Sequence, residues 1–199
     1  MATSEQGMSN VGRWEPLYAP VSNPTPYGDV RSYQVGAAFL SDCTLVEDWG
    51  CGLGWMRRYV HGDDRYRGID GSATRFADAV VDLCHYRSDV DGVFMRHVLE
   101  HNVQWRLVLA NALASMRRRG VIVLFTPLTD QETQLAWHAE IGVPDLSLPR
   151  QEFEAALSEY SWTAQTKQSD TQYGEETIVL ISAPGVEHDN AVEGAWESW

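Results

Sequence analysis

The residues best suited to chemistry form a glycine-rich stretch after a short apolar segment. Gly50, Gly52 and Gly54 alternate in the sequence VEDWGCGLGW, residues 46–55, with Asp48 just before them. Glycines at the end of a parallel strand allow a tight turn and let a ligand touch the backbone, and a helix that begins there offers free N–H groups. The stretch predicts a ligand-binding turn between a strand and a helix.

An acidic residue follows the next predicted strand. Asp70 lies 20 residues after Gly50, in YRGIDGS. Its carboxylate could accept hydrogen bonds from both hydroxyl groups of a ribose, or could only cap a helix that begins near Ser72. A dinucleotide fingerprint reads G-x-G-x-x-G, and Trp55 stands where that pattern needs its last glycine. The spacing disfavours NAD or FAD and favours a ligand with one adenosine and a short charged amino-acid tail.

Two histidines follow the fourth predicted strand. His97 and His101 lie at the carboxyl edge of the predicted sheet, where a histidine could take a proton from an acceptor at neutral pH. With Glu100 they also match H-x-x-E-H, a pattern of zinc peptidases, for which Glu175 or Glu176 would be a distant third ligand. That pattern needs both histidines on one helix face, whereas His97 directly follows a strand.

Strands and helices alternate around these residues. The predicted strands are 44–46, 66–69, 80–83, 93–95, 121–125, 162–168 and 177–182. The predicted helices are 30–40, a segment ending near 61–62, 73–79, 105–116 and one that begins at Pro149. Arg117–Arg119 are predicted to end the helix 105–116. Residues 126–147 are predicted to be irregular or partly helical. The alternation, closing on two sequential strands, predicts a doubly wound α/β fold whose sheet is mostly parallel with an antiparallel edge strand.

Composition excludes several classes of protein. The net charge of −13 disfavours nucleic acid as the main partner, because an acidic body repels phosphate backbones. The longest apolar run, Val121–Phe125, is too short to span a bilayer, and the polar N-terminus has no signal peptide, so we expect a cytoplasmic protein. Cys43, Cys51 and Cys84 form no C-x-x-C pair, which predicts reduced thiols and no metal site.

Charge and residue type also divide the chain. Residues 1–13 are predicted to be disordered, 14–183 to form one domain, and 184–199 to be an acidic flexible tail in which Trp196 and Trp199 could form a docking peptide. Within the domain, residues 14–40 are predicted to be an arm and a helix that could act as a lid.

These motifs together resemble the class I S-adenosylmethionine-dependent methyltransferases, close to the methyltransferase type 11 group, over roughly residues 43–127. VEDWGCGLG resembles the acid-x-G-x-G-x-G motif of that family, and YRGIDGS its ribose-binding strand end. FMRHVLEH resembles the stretch after the fourth strand, and GVIVLFTP the fifth strand. The resemblance implies a seven-stranded sheet with an antiparallel last strand, and S-adenosyl-L-methionine as the cofactor.

The resemblance also implies roles for individual residues. Asp48 and the backbone of Gly50 and Gly52 would hold the methionine end, Asp70 the ribose, and Asp82 with Leu83 the adenine. A turn cap remains an equal alternative for Asp82, and Glu100 would anchor the following helix. The full set of implied cofactor-binding residues is Asp48, Gly50, Cys51, Gly52, Gly54, Asp70, Gly71, Asp82 and Leu83.

The expected function is methyl transfer to oxygen or nitrogen of a small-molecule, sugar or nucleotide-linked acceptor, with His97 or His101 as the catalytic base. The chain lacks the D/N-P-P-Y stretch and the Pro-Cys pair of DNA-methylating enzymes. Two alternatives remain open: a non-catalytic partner subunit with the same fold, and a zinc hydrolase using His97, Glu100 and His101. Further candidates to line an acceptor pocket are Tyr18, Tyr27, Tyr33, His85, Tyr86 and Arg96.

Overall fold

The computed structural model describes residues 10–22 and 25–188, and a seven-stranded sheet forms its centre. The strands are β1 (Val46–Trp49), β2 (Tyr66–Asp70), β3 (Ala79–Val80), β4 (Val90–Arg96), β5 (Met116–Leu124), β8 (Ser161–Gln168) and β9 (Glu175–Ser182), in the spatial order β3-β2-β1-β4-β5-β9-β8. Strands β1 to β5 are parallel, and β9 runs antiparallel to both β5 and β8. The predicted doubly wound fold with an antiparallel C-terminal strand is confirmed, and that strand lies next to the edge strand β8.

Helices cover both faces of this sheet. The helices are α1 (Glu15–Tyr18), α2 (Arg31–Phe39), α3 (Trp105–Ser115) and α4 (Arg150–Ala156). On one face, Tyr33, Val35 and Phe39 of α2 belong to a buried cluster with Phe94 and Val121. On the other face, α3 and α4 bury apolar side chains against β1, β4 and β5. Because both faces are covered, every residue of β4 is buried, as expected for a parallel strand at the centre of a sheet.

The predicted helix after the glycines is wrong. A short 3-10 turn, Met56–Arg58, takes its place. Gly54 and Gly62 both have positive φ, 69° and 99°, and therefore bound a segment too short for a stable helix. The predicted helix at 73–79 is also absent, because the Thr74 hydroxyl accepts the N–H groups of Phe76 and Ala77 and so competes with helical hydrogen bonds.

The three arginines predicted to end α3 belong to β5 instead. The helix ends at Ser115, and the strand begins at Met116. Arg117 forms an ion pair with Asp91, and the next two arginines bond to Asp42. These basic side chains thus hold the amino end of β5 to neighbouring loops rather than interacting with a helix dipole.

Residues 126–147, predicted to be irregular or partly helical, contain a β-hairpin. Its strands are β6 (Thr133–His138) and β7 (Val143–Ser147), paired antiparallel. The turn closes through the N–H groups of Ile141 and Gly142, which both donate to the His138 carbonyl. Strand β7 is buried and packs against the 3-10 turn Leu99–His101.

The two chain ends are described only in part. Residues 10–13, within the segment predicted to be disordered, contact the sheet edge: the Gly12 N–H donates to the Gly71 carbonyl at 2.8 Å. The predictions for 1–9 and for most of the acidic tail, including Trp196 and Trp199, lie outside the described residues. In the described part of the chain, no helix is long and apolar enough to cross a membrane.

Candidate functional site

A cavity of about 770 Å³ opens at the carboxyl ends of the parallel strands. Its volume falls in the range usual for small-molecule sites. One side consists of the turn after β1 and the ends of β2 and β3, including Asp70; we call it the cofactor side and the opposite one the acceptor side, after the roles that the sequence predicts for them. The other side, the acceptor side, consists of the ends of β4 and β5, the β6–β7 hairpin and the β8–β9 turn, including His97 and Phe125.

The turn after β1 depends on its glycines. Gly50, Gly52 and Gly54 all have positive φ, at 74°, 49° and 69°. A Cβ atom on Gly50 would overlap the side chain of Val98, and one on Gly54 would lie 2.8 Å from the ring of Phe76. Only glycine combines this backbone conformation with such close packing.

The N–H groups of this turn bond within the chain. Those of Gly50 and Cys51 donate to the Ile69 carbonyl at 2.7 and 3.1 Å, and that of Gly52 donates to the Asp70 carboxylate at 2.8 Å. With an α-helix also absent after the turn, the backbone does not form the cradle of free N–H groups that binds a diphosphate. The geometry agrees with the prediction that this is not a dinucleotide site.

Asp70 lies at the end of β2, is buried and lines the cavity. One carboxylate oxygen accepts the N–H of Gly52 and the other accepts the N–H of Ser72, both at 2.8 Å. Burial raises the pKa of this carboxyl, and the two N–H groups oppose that shift. Each oxygen retains a second lone pair, so Asp70 can order the turn and still accept hydrogen bonds from a ligand.

Asp82, Leu83 and Gly71 also line the cofactor side. The Asp82 carboxylate accepts the N–H of Cys84 at 2.9 Å, which is the turn cap that the sequence allowed as an alternative. Because Asp82 lies in the cavity wall as well, the cap leaves a contact with a ligand open. Leu83 is also part of the core.

Two residues of the predicted cofactor set lie away from the cavity lining. Asp48 is buried, and its carboxylate accepts the hydroxyl of Tyr66 at 2.7 Å. Burial raises the pKa of Asp48 to about 7, against the effect of that hydrogen bond. Gly54 packs on Phe76 instead of facing the cavity. Cys51 does line the cavity, and burial raises the pKa of its thiol.

The segment before α2 covers the cofactor side. Asn10, Trp14 and Tyr18 line the cavity, and the Trp14 N–H donates to the Ser72 hydroxyl at 3.0 Å. A Cβ atom on Gly52 would lie 3.1 Å from the Tyr18 hydroxyl, so this ring rests directly on the glycine turn. The arm predicted as a possible lid is therefore packed over the site.

His97 lies at the end of β4 in a buried polar cluster. Its Nε2 atom lies 2.7 Å from Glu176 Oε1, and the same oxygen lies 2.5 Å from a guanidinium nitrogen of Arg96. Burial lowers the pKa of His97 well below its usual range, and Arg96 adds to the shift. The ring is therefore neutral at pH 7, and it contacts the rings of Tyr27 and Phe125.

His101 has different partners from His97. Its Nδ1 atom lies 2.9 Å from the Pro144 carbonyl and 3.2 Å from the Asp145 carboxylate. His138 also bonds to Asp145, at 2.8 Å, and the Tyr173 hydroxyl donates to it at 2.9 Å. Burial acts to raise the pKa of Asp145, but the hydrogen bonds from His101, His138 and Tyr173 outweigh it and lower the pKa to about 2.

The H-x-x-E-H arrangement of a zinc peptidase does not form. His97 and His101 lie on a strand end and a 3-10 turn, not on one helix face, and they face different carboxylates. Glu100 is fully buried, and its carboxylate accepts the N–H of Phe125 at 2.6 Å. Glu100 thus anchors the end of β5, which corrects the prediction that it would anchor the following helix.

The other predicted pocket residues divide into two groups. Tyr18, Tyr27, Tyr33 and Arg96 line the cavity, whereas His85 and Tyr86 do not. The lining residues that sequence reasoning missed include Trp14, Phe125, His138 and Asp145. The hairpin that carries His138 and Asp145 had only a weak signal in the sequence. Leu135 and Trp137 alternate with the residues beside them, as in a strand, and Gly142 follows as a turn residue.

No protein-family model matches the chain, and no curated protein matches its sequence. Solved structures do match its fold. A 1,6-didemethyltoxoflavin-N1-methyltransferase from Burkholderia thailandensis, bound to 1,6-didemethyltoxoflavin and S-adenosylhomocysteine, is 14% identical with a TM-score of 0.60, over 77% of each chain. Magnesium protoporphyrin IX methyltransferase (ChlM) from Synechocystis PCC 6803, bound to S-adenosylhomocysteine, is 15% identical with a TM-score of 0.56, over 86% of this chain and 93% of that one.

A third match is a complex from Haloferax volcanii between the Trm112 methyltransferase activator and a putative methyltransferase. It is 13% identical with a TM-score of 0.52, over 80% of this chain and 93% of that one. Together with the strand order and the antiparallel strand β9, these matches show that the chain has the fold of the class I S-adenosylmethionine-dependent methyltransferases.

Proposed function

We propose that this protein transfers the methyl group of S-adenosylmethionine to a small-molecule acceptor, a class that includes sugars and nucleotide-linked metabolites. The observation that carries the proposal is a cavity with Asp70 and the glycine turn on one side and His97, His101 and Phe125 on the other. Methyl transfer needs both reactants in one space, because the carbon passes directly from sulfur to the acceptor atom in line with the bond that breaks.

The cofactor side suits one adenosine with an amino-acid tail. Asp70 would accept the ribose hydroxyl groups, and Asp82 and Leu83 would contact the adenine. The backbone carbonyl groups of Gly50 and Gly52 would hold the ammonium group of the methionine end. Because the N–H groups of the turn already bond within the chain, the site lacks what a diphosphate needs. The solved structures of this fold that contain S-adenosylhomocysteine support S-adenosylmethionine as the cofactor.

The acceptor side suits a small molecule with an apolar, ring-containing part. Rings of Tyr27, Phe125 and His97 contact one another there, with centroids 4.8 to 6.0 Å apart. The toxoflavin and protoporphyrin enzymes named above act on ring systems, which supports this class of acceptor. The net charge of −13 disfavours a polymer with a phosphate backbone.

His97 and His101 are the candidate proton acceptors. In the transfer, the acceptor oxygen or nitrogen forms a bond to the methyl carbon, the carbon–sulfur bond breaks with its electron pair going to sulfur, and the acceptor releases a proton. His97 donates through Nε2 to Glu176, which leaves Nδ1 to accept that proton, and Glu176 would stabilise the resulting imidazolium.

A non-catalytic partner subunit is the second candidate. The complex with the Trm112 activator shows that a chain of this fold can be half of an assembly. The buried Asp70 and the open cavity favour a chain that binds cofactor, and the two histidines on the acceptor side favour turnover. A role as zinc hydrolase has no support in the geometry of His97, Glu100 and His101.

Titration calorimetry with S-adenosylmethionine, S-adenosylhomocysteine and NAD tests the cofactor. We expect both sulfur ligands to bind and NAD not to bind. Asp70→Asn should weaken binding roughly 10- to 150-fold, because hydrogen bonds to a charged group contribute about 1.5–3 kcal/mol. The exposed Asp63→Asn is the matched control and should bind like the wild type. A folded wild-type protein that binds neither sulfur ligand would overturn the proposal.

Labelled S-adenosylmethionine then separates an enzyme from a partner subunit. The protein is incubated with the small-molecule and the macromolecular fractions of a cell extract. We expect label only in the small-molecule fraction. Cofactor binding without label in either fraction would favour the partner subunit, and label in the macromolecular fraction would contradict the proposed acceptor class.

A further inference from the structure

Three potential metal ligands meet at the acceptor side of the cavity. His101 comes from the 3-10 turn after β4, His138 from the end of β6, and Asp145 from β7. Asp145 Oδ1 lies 2.8 Å from His138 Nε2 and 3.2 Å from His101 Nδ1, and one ligand atom of each residue lies within 4.8 Å of the others. One ligand atom of each residue is therefore close enough to the other two to share a single ion, which would replace the hydrogen bonds that now join these side chains.

We propose that His101, His138 and Asp145 bind a first-row divalent metal ion, with Zn²⁺ as the best match. Two imidazole nitrogens and one carboxylate oxygen are ligands that Zn²⁺ binds at about 2.0–2.2 Å. Imidazole ligands favour Zn²⁺, Co²⁺ or Fe²⁺ over Mg²⁺ and Ca²⁺, which prefer sets made only of oxygen. The proposal departs from the sequence prediction of no metal site, because the hairpin that carries His138 and Asp145 was not predicted.

Neighbouring groups orient the carboxylate for this role. The Tyr173 hydroxyl donates to Asp145 Oδ2 at 2.9 Å, which leaves Oδ1 facing both histidines. Such outer hydrogen bonds fix the ligands of metal sites. Asp145 is 1% exposed, and the rings of Trp14 and Phe125 lie 4.8 and 5.3 Å from that of His101. Aromatic rings thus cover His101 in this cluster.

The site differs from the zinc-peptidase pattern in the sequence. That pattern would use His97, Glu100 and His101, of which only His101 belongs to the proposed set. Glu100 instead supplies a second buried carboxylate next to this region, fixed by the N–H of Phe125. Two buried acids near one another are a setting in which a bound cation offsets unfavourable charge.

All three ligands line the cavity, so an ion bound there would keep coordination positions open toward it. Resting on the proposed function, we infer that an oxygen or nitrogen atom of the acceptor occupies one of them. A bound hydroxyl group releases its proton more readily, because the cation stabilises the resulting anion. In this arrangement His101 is a ligand, and His97 remains the candidate proton acceptor.

The test uses the full chain without an affinity tag, treated with a chelator and dialysed. Zn²⁺ binding is measured by calorimetry, and Co²⁺ binding by visible absorption, which reports the number and type of ligands. We expect one ion per chain and a preference for Zn²⁺ over Mg²⁺. His138→Ala is the main variant because this side chain is 38% exposed, so its loss leaves the core intact.

Tyr173→Phe removes an outer hydrogen bond and should weaken Zn²⁺ binding roughly 10- to 100-fold. His138→Ala removes a ligand and should weaken Zn²⁺ binding by more than that. The control His61→Ala removes an exposed histidine and should bind like the wild type. A wild-type protein that binds no Zn²⁺, that prefers Mg²⁺, or that binds no better than His138→Ala would overturn the proposal.

Titration of the same samples with S-adenosylhomocysteine keeps the two proposals apart. We expect His138→Ala to bind this ligand like the wild type, because His138 lies on the acceptor side. Zn²⁺ binding without binding of S-adenosylhomocysteine would support the metal site and overturn the proposed function. The reverse result would overturn the metal site alone.

Discussion

The two sides of the cavity are assembled in different ways. On the cofactor side, the contacts of the glycine turn join nearby parts of the chain: Gly52 and Asp70 are 18 residues apart. On the acceptor side, His97 bonds to Glu176 across 79 residues, and His101 bonds to the Pro144 carbonyl across 43. Local backbone rules therefore decide the shape of the cofactor side, whereas the acceptor side exists only once the whole sheet and its hairpin have formed.

The sides also differ in how they hold buried charge. Asp70 on the cofactor side and its buried neighbour Asp48 in β1 accept hydrogen bonds from neutral donors, which are backbone N–H groups and the Tyr66 hydroxyl. On the acceptor side, Glu176 pairs directly with the guanidinium of Arg96. Under the proposed function, the positive sulfonium and ammonium groups of the cofactor would supply the charge that the cofactor side lacks.

The strongest test of this comparison is Gly50→Ala. We expect the free energy of unfolding to fall by about 2–5 kcal/mol, since positive φ costs an alanine about 1–2 kcal/mol and overpacking adds about 1–3 kcal/mol. The overlap would be with Val98. Urea unfolding measures the loss, and S-adenosylhomocysteine should bind less tightly because the turn must move.

Gly174→Ala is the matched control. Gly174 has a φ of 75°, nearly that of Gly50, but a Cβ atom there would meet no atom within 4 Å. The free energy of unfolding of Gly174→Ala should therefore fall only by the backbone contribution of about 1–2 kcal/mol, and ligand binding should be unchanged. Equal losses in the two variants would show that close packing at Gly50 contributes nothing.

The second test concerns Asp48, whose pKa burial raises from 3.8 to about 7. A carboxyl with a raised pKa stabilises the fold fully below its unfolded pKa, and this contribution is lost as the pH rises through the folded pKa. Relative to Asp48→Asn, the wild type should therefore lose about 2–4 kcal/mol of unfolding free energy between pH 4 and pH 7.

Urea unfolding of both proteins across this pH range measures that difference. Asp63→Asn, which changes an exposed acid, should follow the wild type at every pH. Parallel curves for the wild type and Asp48→Asn would mean that Asp48 titrates normally, and the contrast in buried charge between the two sides would then fail.

Prediction from the sequence succeeded where local rules apply. Hydrophobic patterning places the strands of the main sheet. The alternating glycines with Asp70 predict one wall of the cavity, because turn chemistry is encoded in neighbouring residues. The helix after the glycines was predicted wrongly because the segment between Gly54 and Gly62, which both have positive φ, is too short to form a stable helix. The hairpin was missed because Leu135 and Trp137 are partly exposed and give no clear core pattern. The partner of His97 depends on β9 lying beside β5, which no local signal reports.

The smallest expected effect concerns His97 on the acceptor side, whose contribution to the free energy of unfolding should depend on pH in the opposite direction to that of Asp48. Burial keeps His97 neutral in the fold by lowering its pKa well below 6.5. As the pH falls below 6.5, the unfolded chain takes up a proton at this histidine and the folded chain does not. The free energy of unfolding should therefore decrease by up to about 1.4 kcal/mol for each pH unit below 6.5, or about 2 kcal/mol at pH 5.

The variant His97→Asn should remove this dependence on pH, and asparagine tolerates the positive φ of 56° at this position. Because the variant also loses the hydrogen bond to Glu176, the slopes of unfolding free energy against pH are compared, not the absolute values. The exposed His61→Asn should keep the slope of the wild type. If His97→Asn kept it too, the acid sensitivity would arise elsewhere, and His97 would be a normally titrating histidine rather than a buried neutral base. Loss of the slope would show that acid destabilises the fold through His97, in contrast to Asp48, through which rising pH destabilises it.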